Sequence, residues 1–261
     1  MHHSLVFFTV ICQTAIGSLI FNEIFNFKTR DNSFHIHDRR ARTFITGLLL
    51  FSIVIAFPHL GNPVNSINAL NNLGSSWLSR EIFFLSILAI FLILRLLINR
   101  YIVNILPARL LAGVISIVIA LLILYSMIRL YMIPYVPSWN NPCTPIGFIM
   151  TTLSCGLAFF SSLSNFTDKY FKIILPALAF LVVAATINSI VYNSLSFSPL
   201  PFLFILRIVL ALTSLILIAV KYFSAHSNKS NSFPVVLFIM ITSSEVINRY
   251  IFFLSFEKSG L

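Results

Sequence analysis

Residues 110–131 read LLAGVISIVIALLILYSMIRLY, and Arg129 is the only charged side chain among them. A helix that crosses the hydrocarbon core of a bilayer needs about 20 predominantly apolar residues. Seven other segments satisfy or approach this requirement, namely 5–22, 43–57, 82–98, 146–163, 171–192, 201–222 and 233–253. The pattern predicts an all-α polytopic integral membrane protein with eight transmembrane helices. The alternative count is seven, because segment 43–57 is short and segments 82–98, 201–222 and 233–253 carry internal charges.

The composition excludes an ordinary soluble domain. Of the 261 residues, 58% are hydrophobic and 9% are charged, and the mean hydropathy is +0.96. Soluble domains carry about 25% charged and about 45–50% apolar residues. No linker of distinct composition interrupts the chain, so we predict a single transmembrane domain over residues 1–261.

The distribution of basic residues predicts the orientation. The chain has 17 Lys and Arg against 7 Asp and Glu, a net charge of +10. Because these residues lie in short connections between apolar segments, we interpret them as topology signals and expect no nucleic-acid partner. One set of connections holds Lys28, Arg30, Arg39, Arg40, Arg42, Arg95, Arg100, Arg109, Lys169, Lys172, Lys221 and Lys229. The other set holds Arg80, Arg129, Arg249 and Lys258. The first set should face the cytoplasm, which makes both termini periplasmic (N-out and C-out).

Residues that commonly bind metals or haem are sparse and poorly spaced. The three cysteines, Cys12, Cys143 and Cys155, form no CxxC pair, so we expect them to be buried apolar side chains rather than metal ligands. A haem between membrane helices usually needs axial histidines within spans. The six histidines are His2, His3, His35, His37, His59 and His226, and none lies at the centre of a predicted span. We therefore expect neither haem nor an iron–sulfur cluster in this chain.

The connection between the second and third spans carries the candidate chemistry. Pro58 and Pro63 should end the second helix there. Ser79 is the expected N-cap of the third helix, with Glu81 in its first turn. His59 and Glu81 then lie at the outer ends of adjacent helices, where an imidazole and a carboxylate can exchange protons with a polar head group. The alternative is structural: Glu81 complements the helix dipole and pairs with an arginine, and His59 is an interfacial residue.

Other polar residues have a structural interpretation first. Tyr131, Tyr135 and Trp139 in the next outer connection are typical of an interfacial aromatic belt. Glu245 and Arg249 are four residues apart, which favours an ion pair on one helix face. Arg207 lies inside a predicted span, where it either snorkels to the interface or pairs with a carboxylate.

Three motifs carry a resemblance to a known family. They are Phe57-Pro58-His59-Leu60-Gly61-Asn62-Pro63, Asn68-Ala69-Leu70, and Ser76-Trp77-Leu78-Ser79-Arg80-Glu81. Together they resemble the membrane-anchor subunit of anaerobic dimethyl sulfoxide reductase, a complex iron–sulfur molybdoenzyme. The opening Leu5-Val6-Phe7-Phe8-Thr9-Val10 with Gln13, the segment from Arg129 to Asn140 and the segment from Glu245 to Arg249 are also similar to that family.

The resemblance implies a haem-free anchor in the bacterial inner membrane that oxidises menaquinol during anaerobic respiration. Electrons would pass to an iron–sulfur subunit and then to a molybdopterin catalytic subunit, so this chain itself would hold no molybdopterin and would not act on the terminal substrate. The implied quinol-binding residues are His59, Gly61, Trp77, Arg80 and Glu81, of which His59 and Glu81 are catalytic. The implied support on the outer face comes from Arg129, Trp139, Glu245 and Arg249.

Two other functions remain open from the residues alone. A secondary transporter would carry polar groups near the membrane midplane, where Arg207 and Glu245 are the main exceptions to an apolar interior. A purely structural anchor would have no quinol site. Uptake of a substrate by the protein alone would indicate the transporter, and quinol-dependent reduction of a partner's clusters would indicate the anchor subunit.

Overall fold

The computed structural model describes residues 3–28, 34–57, 70–102, 106–163, 168–196, 201–224 and 232–257. Within these ranges the protein forms eight α-helices, a 3₁₀ turn at Leu70–Asn72 and no strand. The helices are α1 (His3–Lys28), α2 (Phe34–Ala56), α3 (Trp77–Ile102), α4 (Leu106–Tyr131), α5 (Cys143–Leu163), α6 (Asp168–Ser196), α7 (Pro201–Phe223) and α8 (Phe233–Glu257). The predicted all-helical class is confirmed for this part of the chain.

Seven of these helices are long and apolar enough to cross a membrane. The exception among the described helices is α2, because Arg39, Arg40 and Arg42 lie within its first half. A polytopic membrane protein is therefore confirmed, while the eighth span and the orientation of the termini stay predictions.

Several helices extend beyond the apolar segments that predicted them. α2 begins at Phe34, nine residues before the predicted start, so Arg42 is helical and not part of a connection. α3 begins at Trp77, and Ser76 Oγ accepts a hydrogen bond from the backbone N–H of Ser79 at 3.4 Å. The prediction of Ser79 as the N-cap is therefore wrong. Since Ser76 takes that role, Glu81 lies beyond the first turn of α3.

α1 lies at the centre of the bundle, since 72% of its span is buried, more than in any other described span. It crosses α5 at very close range through Gly17 and Gly156. A Cβ on Gly17 would lie 1.9 Å from the carbonyl oxygen of Thr152, and one on Gly156 would lie 2.5 Å from the Cα of Gly17. Only glycine at these two positions permits the helices to approach this closely.

The two ends of the bundle differ in their residues. At one end, which we call the Trp139 end, His3 hydrogen-bonds to Tyr250, and Trp139 donates to the carbonyl oxygen of Phe252. The start of α1 and the last part of α8 therefore lie together there. At the other end, which we call the Glu23 end, the last part of α1 meets α2, α3 and α4. The three cysteines are free and buried, as predicted.

Candidate functional site

Glu81 is a buried carboxyl without a hydrogen-bond partner. Its side chain enters the bundle from the start of α3 and is 2% exposed. Neither carboxyl oxygen has a hydrogen-bond partner among the described residues. Leu85, one turn after Glu81 on α3, belongs to the same buried hydrophobic cluster as Cys12 of α1 and Tyr131 of α4, which places this turn of α3 in the interior of the Trp139 end. An unsatisfied ionisable group inside a membrane protein is costly and is a functional candidate.

The structural alternative for Glu81 does not fit these contacts. Glu81 lies beyond the first turn of α3, so it does not cap the helix dipole. The neighbouring Arg80 donates instead to the carbonyl oxygens of Leu73 and Gly74, at 2.9 and 2.7 Å. Nothing in the described part of the protein therefore satisfies the Glu81 carboxyl.

Trp77 lies between two arginines beside the site. The guanidinium carbons of Arg80 and Arg129 are 4.2 and 5.3 Å from the centroid of the Trp77 ring, and the ring meets Tyr125 edge-on. Arg80 links this stack to the turn at 73–74 through its two backbone hydrogen bonds. These residues fix the turn that precedes α3, and with it the position at which Glu81 enters the bundle.

An aromatic cluster forms the inner wall of the Trp139 end. Tyr131 makes ring contacts with Trp139, Phe148, Phe252 and Phe253 at centroid distances of 5.4 to 6.0 Å. Tyr131 and Trp139 are 6% and 7% exposed, so the interfacial-belt interpretation is wrong for both. The reason is that the segment after α4 folds back onto α8, where Trp139 stacks on Phe252 at 4.9 Å and donates its Nε1–H at 2.9 Å. Tyr135, 84% exposed, is the aromatic residue that fits the predicted belt.

Glu245 pairs with Arg207, and the predicted pair with Arg249 is wrong. The distance from Arg207 Nη2 to Glu245 Oε1 is 3.4 Å, and Thr151 donates to Glu245 Oε2 at 2.6 Å. Arg207 also donates to the carbonyl oxygen of Ala185 at 2.8 Å. Of the two alternatives for Arg207, the structure selects pairing with a carboxylate. Helix packing decides the partner of Glu245. α7 packs against α8 and brings Arg207 to Glu245, a contact that the spacing of residues in the sequence does not reveal.

Arg249 is held by the side-chain amide of Gln13 and by two phenylalanine rings. Its Nη2 donates to Gln13 Oε1 of α1 at 2.7 Å. Its guanidinium carbon lies 3.7 Å from the centroid of Phe148 and 5.7 Å from that of Phe252. A cation placed over ring faces in a dry interior is stabilised by the ring quadrupole. Arg249 thus joins α1, α5 and α8 near Tyr131.

A second buried ionic cluster, at the Glu23 end, was missed by sequence reasoning. Arg95 donates to both oxygens of Glu23 at 2.8 and 2.9 Å and to Ser116 Oγ at 3.0 Å. Arg42 Nε lies 3.9 Å from Glu23. Arg42, Arg95 and Arg109 are 1%, 4% and 8% exposed, so the prediction that they lie in connections is wrong. A signal was present, since Arg95 lies inside the predicted span 82–98, where a charge calls for a partner.

Two predicted site residues, His59 and Gly61, lie outside the described residues, as does all of 58–69. The structure therefore describes the α3 half of the predicted quinol site, with Trp77, Arg80 and Glu81, and the wall that Tyr131, Trp139 and Arg249 form beside it. Within the described ranges, no cluster of His, Cys, Asp and Glu has the arrangement of a metal site.

Together these features define a polytopic helical membrane protein in which charged side chains are buried at both ends of the bundle. One of them, Glu81, stays unsatisfied within the described residues. The ion pairs at Glu23 and Glu245 account for the other two buried carboxylates in that part of the protein.

The chain belongs to the family of DMSO reductase anchor subunits (DmsC), whose family model matches residues 1–198. It is similar to the C subunit of the anaerobic dimethyl sulfoxide reductase of Haemophilus influenzae, with 31% identity over 161 residues, which cover 59% of this protein and 55% of that one. The anaerobic dimethyl sulfoxide reductase subunit YnfH of Escherichia coli is 30% identical over 154 residues, covering 58% and 54%. The C subunit of the Escherichia coli enzyme is 29% identical over 152 residues, covering 55% and 50%. The matches thus span about half the length of these curated relatives.

Proposed function

We propose that this protein is the membrane anchor and quinol-oxidising subunit of a dimethyl sulfoxide reductase-type molybdoenzyme. The observation that carries the proposal is Glu81, a buried carboxyl whose two oxygens have no hydrogen-bond partner among the described residues. Oxidation of a quinol releases two protons with two electrons, so a base must meet the head group. A carboxyl that no described residue hydrogen-bonds is available for this purpose.

The proton and electron paths separate at this site. Menaquinol, the proposed substrate, enters from the bilayer with its head group at the Trp139 end. Glu81 accepts the proton of one quinol hydroxyl, and His59 hydrogen-bonds the other quinol oxygen and accepts its proton. The two electrons leave to an iron–sulfur partner, because neither haem nor a cluster is expected in this chain. That partner would pass them to a molybdopterin subunit that reduces the terminal substrate.

We place the docking surface for the iron–sulfur subunit on the outer face, over the connections 58–80 and 129–145. The support is proximity, since the second connection packs against the wall of the Glu81 site through Trp139. Tyr135, 84% exposed in this connection, is a contact available to a partner. In this proposal the membrane is the bacterial inner membrane and the face is periplasmic.

The test is Glu81→Gln in the complex assembled in membranes. The amide keeps the size of the side chain and cannot accept the proton, so we expect the rate of quinol oxidation to fall by about 100-fold or more. Assembly, measured by co-purification of the three subunits, should persist. Ser79→Ala, a buried neighbour on the same helix turn, is the control and should leave the rate unchanged.

The outcomes separate the alternatives. A purely structural role for Glu81 predicts loss of assembly or no effect at all. His59→Arg adds charge and bulk and should weaken the binding of a naphthoquinol analogue. If both variants assemble and oxidise quinol at the normal rate, the proposed site is refuted.

A further inference from the structure

Gln13 has one satisfied and one unsatisfied end of its side-chain amide. Its Oε1 accepts a hydrogen bond from Arg249 Nη2 at 2.7 Å. Its Nε2 has no partner among the described residues, although the side chain is 0% exposed. Nearly all buried amide N–H groups are hydrogen-bonded, so this donor requires an explanation.

Arg249 determines which end of the amide is unsatisfied. A guanidinium carries only donors, so Gln13 must present its oxygen to Arg249. The guanidinium cannot easily shift, because it lies 3.7 Å from the centroid of Phe148 and Arg249 is 4% exposed. The amide nitrogen of Gln13 is therefore held away from Arg249, in one orientation.

The unsatisfied donor lies in the same part of the bundle as the unsatisfied acceptor. Cys12, which precedes Gln13 on α1, and Leu85, one turn after Glu81 on α3, belong to one buried hydrophobic cluster that also contains Tyr131. The centroid of the Tyr131 ring lies 5.4 Å from that of Phe148, the ring over which the Arg249 guanidinium is placed. A buried N–H₂ group on α1 and a buried carboxyl on α3 thus both adjoin this cluster.

A quinol matches this arrangement. Its head group is a flat apolar ring with one oxygen on each of two opposite edges, and binding sites for such ligands combine apolar walls with a few placed polar groups. A carboxyl takes a proton from one hydroxyl, and an amide N–H can donate to the other oxygen. The aromatic wall at Tyr131 supplies the flat apolar surface.

We propose that Gln13 is a quinol-binding residue of the Glu81 site, that its amide nitrogen donates a hydrogen bond to one oxygen of the head group, and that Arg249 is the positioning residue that holds the amide in place. The inference rests on the proposed function. Gln13 gains and loses no proton in the reaction, because the oxygen accepts the same hydrogen bond as a hydroxyl and as the carbonyl of the oxidised product. The proton of that hydroxyl goes to the second base of the proposed function. The electrons go to the partner's iron–sulfur clusters.

The decisive variant is Gln13→Glu in the assembled complex. The carboxylate keeps an oxygen for Arg249 and gains an ion pair with it, so the complex should assemble. It removes the amide donor and adds one negative charge, which Arg249 neutralises. We expect the KM for a short-chain 1,4-naphthoquinol to rise about tenfold, the usual consequence of losing one hydrogen bond. A second variant, Gln13→Met, removes both amide ends at nearly constant volume and should raise the KM at least as much.

An analogue with a single oxygen isolates the contact. The matching 1-naphthol has the hydroxyl that meets Glu81 and lacks the oxygen assigned to Gln13. Its inhibition constant should be the same in the wild-type complex and in Gln13→Glu. The control Asn188→Asp makes the same amide-to-acid change where the amide nitrogen already bonds to the backbone of Cys143 at 3.1 Å, and it should leave the KM unchanged.

The results that would count against the two proposals are distinguishable. A Gln13→Glu complex with a normal KM overturns the role of Gln13, as does a parallel rise in the KM and the inhibition constant. A normal KM in that variant together with a slow Glu81→Gln enzyme overturns only the role of Gln13. A wild-type complex that fails to oxidise the naphthoquinol overturns the proposed function itself.

Discussion

Glu23 of α1 and Arg95 of α3 are joined by two hydrogen bonds, of 2.8 and 2.9 Å, across 72 residues of sequence. Arg95 uses two of its nitrogens for the two oxygens of one carboxylate, the planar geometry that makes arginine–carboxylate pairs strong. Both side chains are at most 4% exposed. This pair ties α1 to α3 at the Glu23 end.

Replacing Arg95 with methionine should therefore destabilise the bundle. Arg95→Met removes the closest cation from the buried Glu23 and leaves Arg42, at 3.9 Å, facing it. Breaking one side of a buried pair costs about 3–5 kcal/mol in the free energy of unfolding. Equilibrium unfolding in mixed detergent micelles measures this change in the free energy of unfolding. Ser116→Ala, which removes one neutral partner of Arg95, should cost about 1 kcal/mol. Equal costs for the two variants would show that the carboxylate pair is not what stabilises this end.

Gly17→Val should prevent the close crossing of α1 and α5. The added Cβ would overlap the Thr152 carbonyl, 1.9 Å away, and the backbone cannot yield without moving the whole helix. We expect the protein to lose most of its accumulation in membranes, as measured by immunoblotting. Gly47→Val is the matched control, because nothing lies within 4 Å of a Cβ at this helical glycine. Similar loss in both variants would mean that valine itself, and not the crossing, is responsible.

Glu245→Gln should lower the stability of the protein, because it leaves the buried Arg207 cation without a charged partner. The amide keeps the hydrogen bond from Thr151 but removes the charge that faces Arg207, leaving a guanidinium that is 0% exposed. The free energy of unfolding should fall by about 3–5 kcal/mol. The double variant Glu245→Gln with Arg207→Met, which removes both charges, should recover most of the loss. A double variant less stable than the single one would contradict a role as charge partners.

Two variants of Trp139 separate its hydrogen bond from its packing. Trp139→Phe removes the 2.9 Å bond to the Phe252 carbonyl and keeps a ring on the stack, so we expect a loss of about 1 kcal/mol. Trp139→Ala removes the ring as well, and the expected loss is about 3–5 kcal/mol. Tyr135→Ala, at an exposed ring in the same connection, should not change the stability. Thermal denaturation of the purified protein without partner subunits measures the loss of stability in each of the three variants.

Cysteine labelling tests the predicted orientation. The three native cysteines are buried, so we expect the labelling reagent to react with the introduced thiol and not with them. Tyr135→Cys at the Trp139 end should react with a membrane-impermeant maleimide added outside intact spheroplasts. Ser224→Cys, at the far end of α7, should react only after the membrane is opened. The reverse pattern would invert the topology and move the proposed quinol site to the cytoplasmic side.

The sequence predicts the helices well because membrane solvation leaves a long apolar signature. The ends of α4, α5 and the start of α7 agree with the predicted segments at Tyr131, Leu163 and Pro201. The errors occur where a helix continues into charged sequence, as α2 does through Arg42 and α1 does through Glu23. Hydropathy predicts the part of a helix that is apolar enough to contact lipid. It does not predict further helical turns whose charged side chains are paired inside the bundle.

The candidate site was only partly predictable for a related reason. Glu81 was identified from a motif, but its lack of a partner among the described residues follows from how α3 packs and not from its neighbours in sequence. The spacing of Glu245 and Arg249 favoured a pair that the structure replaces with Arg207, because α7 and α8 pack together. Gln13 shows the same limit, since its contact with Arg249 joins residues 236 positions apart. Local spacing predicts helix faces, and only the packing decides which faces meet.

The crossing of α1 over α5 constrains when the helices of the bundle can pack together during synthesis. α1 is synthesised first, yet Gly17 packs against Gly156, and Gln13 binds Arg249 near the end of the sequence. Until α5 and α8 have been synthesised, Gly17 and the Gln13 amide of α1 lack these contacts. Packing at the Trp139 end is thereby completed only after α8 has been translated, so a protein truncated before α8 lacks Arg249, the residue that orients Gln13.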